Sequence, residues 1–424
     1  MPDILEEAQL AAQGKNWTLL IQCLQEALAQ EGNLDPAELL PLALAALKSG
    51  DFQTRWDLAK LLPGLGQPAI APLLQILRDD EEELEIRWFA IRILSSFKQP
   101  EVVIALVEML EQTSEEELEQ ALTMALAEVG KTAIVPLSNL LQQPTTRLTA
   151  IRALAQIHHP DTTPALIQAA TDQEAEVRYL AISALGNFNG PEIPPVLVAA
   201  LQDRVAMVRR AAIEVLGARA YLGLVPNLVE LLVDRLWDFN LEVCQQAAIS
   251  LGRLGTDQAA EPLFRVLTAA TTPVPLQLET ARSLAWMGTA PALECLCRAL
   301  TNLSVAAPVY QEIISLLGRW SDPALKAQAA QVLLEALTAS SASSADAKIR
   351  QGIALSLGYL QQPQALEPLM QLLADEDMSV RLHTIAALKT LNSEAAHARL
   401  EHLARQSDVP DQLKQGVAIA LQEW

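Results

Sequence analysis

Val177-Arg178-Tyr179-Leu180-Ala181-Ile182-Ser183-Ala184-Leu185-Gly186 is one copy of a phrase that this chain of 424 residues rewrites about every thirty residues. Each copy has an apolar residue, usually an Arg, and then Ala and Leu at helical spacing. Aligning the copies sets an Arg column at Arg55, Arg87, Glu119, Arg147, Arg178, Arg209, Cys244, Gln277, Tyr310, Arg350, Arg381 and Lys414. The spacings run from 28 to 40 residues, most of them between 31 and 35. A period of this length marks one supersecondary unit stacked on its neighbours.

A second column confirms the register. Proline stands 17 residues after the Arg position at Pro72, Pro136, Pro164, Pro195 and Pro226, and 18 after it at Pro262 and Pro368. In the first turn of a helix the missing N–H costs no hydrogen bond, so each proline marks a helix start and each unit is two helices. The apolar pattern between the columns has period 3.6, as in Val208, Ala212, Val215 and Leu216, then Val225, Leu228, Leu231 and Leu232. A single pair cannot bury such a stripe, so the neighbours must stack, and about three repeats are needed for a core.

The turn Asp, the Val-Arg and the Ala-Leu-Gly in Asp172…Val177-Arg178…Ala184-Leu185-Gly186, Asp203…Val208-Arg209…Val215-Leu216-Gly217 and Asp375…Val380-Arg381…Ala387-Leu388 resemble the short HEAT-like repeat of the phycobilisome-lyase type. The resemblance runs over residues 50–424. The tetratricopeptide and ankyrin signatures are absent at this period. The expected fold is all-α: a right-handed superhelical α-solenoid of about twelve HEAT-like pairs with one concave face. Residues 1–49 read as an N-terminal helical cap, with helices near 3–13, 15–30 and 36–48 and a turn at Asn33-Leu34-Asp35-Pro36, and 50–424 read as the solenoid. Small residues from Thr338 to Asp346 predict a loop.

Composition narrows the function. Hydrophobic residues are 51% of the chain and aromatics only 4%, so the apolar mass is Ala and Leu, which suits closely packed helices. A formal charge of −21 opposes nucleic-acid binding, which depends on Lys and Arg displacing counterions. Acidic residues gather at Asp79-Asp80-Glu81-Glu82-Glu83 and Glu115-Glu116-Glu117, in turns expected on one edge. That edge is either a solvated ridge or a docking site for a basic protein. Neither a basic-then-apolar leader nor an apolar stretch long enough for a bilayer is read near the start, which predicts a cytoplasmic protein without membrane insertion.

Candidate chemistry is sparse. The Asp-x5-Arg spacing predicts a turn Asp that accepts from helix N–H groups and from its Arg, repeated as a structural ladder; Asp238 keeps the spacing before Cys244, where the Arg is missing. Cys295 and Cys297 are weak metal candidates, because residues two apart on a helix point about 200° apart. The His-Glu motif of HEAT-repeat deoxyhypusine hydroxylases is missing, and there is no phosphate loop, nucleophile elbow or triad. No catalytic residue is assigned.

The row one residue after the Arg column reads Trp56, Trp88, Gln120, Leu148, Tyr179, Arg210, Gln245, Leu278, Gln311, Gln351, Leu382 and Gln415. It faces the concave side if the Arg helices line the inside. Aromatic residues cluster in its N-terminal half, with Phe89, Arg92 and Arg152 close by. The expected partner-binding groove is therefore Trp56, Trp88, Phe89, Arg92, Arg152, Tyr179 and Arg210, although a shift of helical phase would make the same residues core. Trp237 and Phe239, in a longer turn, either pack beneath it or face a partner.

A protein-binding scaffold is the first functional reading. The resemblance adds a cyanobacterial setting: the chain is similar to cyanobacterial HEAT-repeat proteins that bind the IscA-type iron–sulfur assembly factor. It also implies the alternative, a bilin lyase acting on phycobiliproteins, in which Trp, Tyr and Arg side chains hold phycocyanobilin. Bilin is the one cofactor implied, and a phycobilin lyase the one enzyme.

Overall fold

The computed structural model describes residues 4–29, 36–218, 221, 223–301, 305–338 and 346–424, and among these every regular element is a helix. The turn residues 33–35 and the small-residue run 339–345 lie outside the described residues. The chain divides into two compact units, the first running to Val196 and the second from Leu197.

In the first unit, α1 (Ile4–Gln13), α2 (Trp17–Ala29) and α3 (Pro36–Ser49) precede the repeats. The pairs follow as α4 (Phe52–Leu61) and α5 (Ile70–Arg78), α6 (Leu84–Leu94) and α7 (Pro100–Gln112), α8 (Glu116–Val129) and α9 (Ile134–Leu140), α10 (Arg147–Gln156) and α11 (Thr163–Ala169), then α12 (Ala175–Leu185). The Arg-bearing helices stack in order, α4 on α6, α6 on α8, α8 on α10 and α10 on α12. Residues 116–140 are long and apolar enough to span a bilayer by composition, with mean hydropathy 1.2. Gly130, at φ +76°, breaks the stretch, and α8 and α9 fold back into the stack.

The second unit repeats this arrangement with Arg-column helices Ala206–Leu216, Leu241–Leu254, Val274–Met287, Ala307–Gly318, Ala347–Leu360 and the first part of Met378–Arg405, a segment that non-helical backbone at Asn392 divides into two helices, each column helix packed on the next. Val208, Ala212, Leu216 and Leu232 are wholly buried, as the 3.6 period requires. Prolines 72, 136, 164, 195, 262 and 368 all sit in a first turn. Pro226 departs from the rule: the chain passes through Asn227 at φ +56° before the helix Leu228–Asp234 begins.

The glycine of Ala-Leu-Gly has a packing role. A Cβ on Gly217 would lie 2.4 Å from Ser250 Oγ, one on Gly318 2.5 Å from Ser356, and one on Gly358 2.8 Å from the Ala387 backbone. In each case the facing residue belongs to the next Arg-column helix, six residues after its column position. The serines use the close approach, since Ser250 Oγ donates to Ile213 O at 3.1 Å and Ser356 Oγ to Ile314 O at 3.0 Å.

Candidate functional site

The stacking of α4 on α6 brings Trp56 and Trp88 into one row. Phe52, one turn before Trp56, stacks on it with ring centroids 6.1 Å apart and meets Phe89 edge-on at 5.5 Å. Trp88 and Phe89 are perpendicular at 5.0 Å. Arg92, one turn after Trp88, places its guanidinium carbon 4.5 Å from the Trp56 ring centre and 5.9 Å from that of Trp88. Two indoles therefore hold one guanidinium, an arrangement in which the ring quadrupoles attract the cation. Lys60 Nζ lies 5.7 Å from the Trp56 ring and bonds Asp57 at 3.0 Å. Among the described residues no acceptor receives the Arg92 N–H groups, although the side chain is exposed.

Beside this stack an open hollow of about 420 Å³ runs from α6 to α8, lined by Trp88, Ile91, Arg92, Glu117, Gln120 and Met124 among others. Met124 is 64% exposed at the hollow. Glu128 also lines it but accepts from Ser95 Oγ at 2.7 Å.

The expected groove is brought together only in part. Trp56 and Trp88 are half-buried and Arg92 is exposed, so the helical phase is right for them. Phe89 is fully buried and corrects the expectation: Phe52 and Trp88 cover it, so it is core and offers a partner no surface. Arg152 is exposed but bridges Glu119 at 3.4 Å and Glu176 at 2.9 Å. Tyr179 is half-buried on α12, three repeats beyond Trp88. Arg210 belongs to the second unit and pairs with Glu242 at 3.4 Å. Phe52 and Met124 were not singled out from sequence, and Glu117 was read there only as part of the acidic run. Met124 stands five residues after its column position, as Arg92 and Arg152 do, and that spacing was the available signal.

The ladder is real but its direction differs from the expectation. Three column arginines cap their own turns through carbonyls: Arg178 donates to Asp172 O at 2.8 Å, Arg209 to Asp203 O at 2.8 Å and Arg381 to Asp375 O at 2.7 Å. The carboxylates instead serve the preceding repeat. Arg147 reaches Asp172 at 3.3 Å, Arg209 reaches Asp238 at 2.8 and 2.5 Å, and Arg350 reaches Asp375 at 2.6 and 2.9 Å. Asp238 therefore persists without an Arg in its own repeat because its partner is Arg209, while Cys244 Sγ takes over the carbonyl cap at 3.1 Å. Gln277 likewise caps Leu267 O at 3.1 Å, much as Arg87 caps Leu77 O at 3.2 Å. Burial would raise the Asp238 carboxyl, but hydrogen bonds from Arg209 and the Asn240 N–H, with the charge of Arg209, outweigh it and hold the carboxyl below its ordinary value.

Other candidates settle differently. Cys295 and Cys297 are buried, and burial pushes both thiols up to about 11. Among the described residues no three His, Cys, Asp or Glu side chains converge as metal ligands. In the acidic run Glu82 pairs with Lys48, Glu83 with Arg55 and Asp80 with Arg87, so much of that edge is neutralised within the chain. Trp237 is 57% exposed and Phe239 fully exposed, which corrects any packing beneath their turn.

A family profile described as HEAT repeats matches residues 22–127, 134–217 and 332–422, more than half of the chain. The chain belongs to the HEAT-repeat family. The unmatched stretch, 218–331, contains Cys244, Gln277 and Tyr310, three successive positions at which the column loses its Arg. Among solved structures, importin beta in a polyethylene glycol condition is similar with a TM-score of 0.53 at 15% identity, over 98% of this chain and 66% of that one. The Kap95:Nup1 complex gives 0.52 at 13% identity, over 99% and 66%. Each of these chains is about half as long again as the HEAT-repeat chain, and identities at this level establish the fold alone. No curated protein matches the sequence.

Proposed function

We propose that this HEAT-repeat protein is a non-enzymatic scaffold that binds a protein partner across the face formed by Trp56, Arg92, Trp88 and the adjoining hollow. The observation that carries the reading is the Arg92 guanidinium, within cation–π reach of two indoles and with no acceptor for its donors among the described residues. Rigid aromatic and Arg side chains lose little freedom on binding and supply much of the energy of protein interfaces. One structural neighbour of similar fold is a complex, Kap95:Nup1. The resemblance of the repeat to the phycobilisome-lyase type names the first partners to try, an IscA-type iron–sulfur assembly factor and phycobiliproteins. The test is capture of each purified candidate by the full chain, with Arg92→Ala and Trp88→Ala compared against wild type. Capture unaltered by both variants rejects this face, and the acidic edge at Asp79–Glu83 and Glu115–Glu117 becomes the next surface.

A second reading uses the same residues. A flat tetrapyrrole would lie against the indoles with a propionate on Arg92, as in a bilin lyase. Mixing with phycocyanobilin and recording the visible spectrum separates the two, since only bilin binding changes the absorbance.

A further inference from the structure

We infer that the partner segment seated here is an extended stretch of protein that places one side-chain carboxylate on Arg92 and an adjacent apolar side chain in the hollow beside Trp88. The inference rests on the scaffold reading and specifies the chemistry of what that scaffold holds. Three observations carry it.

The first is the state of Arg92. Its guanidinium carbon lies 4.5 Å from the Trp56 ring centre and 5.9 Å from that of Trp88, and no acceptor among the described residues takes its N–H groups, which leaves them as the reactive surface. A planar fork of donors held in that way matches the two oxygens of a carboxylate. The second is its isolation in an acidic chain. With a formal charge of −21, carboxylates are in surplus, and Arg55, Arg87, Arg152 and Arg282 each have one within 4.0 Å. Arg92 has none among the described residues, even though Glu117 and Glu128 line the same hollow. Those two carboxylates repel a further acid placed deeper in the hollow, so the site selects a single carboxylate and disfavours an acidic run or a polyanion. The third is the hollow itself, whose apolar lining on α6 and α8 is Trp88, Ile91, Ala121, Met124 and Ala125. It is apolar and open, so it takes a side chain from a segment that continues past it.

The test uses a positional library of decapeptides with acetylated and amidated ends, so that every carboxylate comes from a side chain, probed with the full chain. Wild type is expected to retain peptides with Asp or Glu beside Leu, Met or Phe about tenfold better than their Asn or Gln counterparts, the scale of a charged hydrogen-bonded pair. Arg92→Gln should lose the preference for the acid while keeping the preference for the apolar residue, and Arg265→Gln, on an exposed side chain elsewhere, should behave as wild type. Thermal melts of each variant confirm that it is folded. Apolar selection with no acid preference, or the same acid preference in Arg92→Gln, overturns the inference and leaves the scaffold reading standing. Absence of any selection by wild type also overturns it. The scaffold reading itself fails separately, when partner capture ignores both Arg92→Ala and Trp88→Ala.

Discussion

Gly358 and Asp238 show how much of this molecule rests on single atoms placed between repeats. A methyl group on Gly358 would sit 2.8 Å from the Ala387 backbone, which cannot swing aside as a side chain can. Gly358→Ala is therefore expected to destabilise the second unit by about 1–3 kcal/mol, the cost of overpacking, measured by urea denaturation. Asp238 is nearly buried and accepts two hydrogen bonds from Arg209, so Asp238→Asn leaves a half-buried guanidinium without its counter-charge. That loss is on the order of 3 kcal/mol, as for other broken buried pairs. The same pair gives a pH signature. A carboxyl held below its ordinary value stabilises the fold fully above its unfolded pKa of about 4, and this contribution disappears as pH falls through the lower folded value. Wild type should lose stability below about pH 4 more steeply than Asp238→Asn, and parallel acid titrations followed by circular dichroism would refute the assignment. Exposed Arg92 differs in kind: Arg92→Ala forfeits cation–π contacts worth about 0.5–1 kcal/mol, so binding should suffer while the melting temperature barely moves.

Helices in this protein depend on their neighbours more than on their own propensity. Leu216 ends the helix Ala206–Leu216, is wholly buried, and lies one residue before the glycine that admits Ser250. Leu216→Pro removes a helical hydrogen bond and clashes with the preceding turn, a cost of about 3 kcal/mol or more. Because each repeat contacts only adjacent ones, the damage should spread first to the helices Leu228–Asp234 and Leu241–Leu254. Hydrogen exchange would show this as lost protection in those two helices while α4–α8 stay protected, and uniform loss along the whole chain would contradict the nearest-neighbour account. Element boundaries were legible where chemistry marks them. Asp51, Asn240 and Asp377 cap their helices through side-chain acceptors, and the first-turn prolines fixed the partner helices. The Pro226 position misled because a left-handed residue, Asn227, intervenes before the helix begins.

Over the whole molecule, the sequence by itself determined what repeats: a 31–35 residue period, two helices per unit, the buried stripe and the Arg column, and hence an all-helical HEAT-repeat chain. These are local properties, written in spacing and in residues whose backbone preferences do not depend on distant contacts. It also placed Trp56, Trp88 and Arg92 together, because residues at one column offset in successive repeats must fall in one row once the repeats stack. Only tertiary structure decided the rest. Phe89 became core because Phe52 of the preceding repeat covers it, and Trp237 and Phe239 became surface because their turn packs through Leu236 instead. The Asp carboxylates pair with an Arg 25 or 29 residues earlier, and not with the Arg six residues ahead, because stacking brings the previous helix closer to the carboxylate than its own. A pattern of period one repeat is identical whether a contact lies within the repeat or between repeats, and the distances alone tell the two apart.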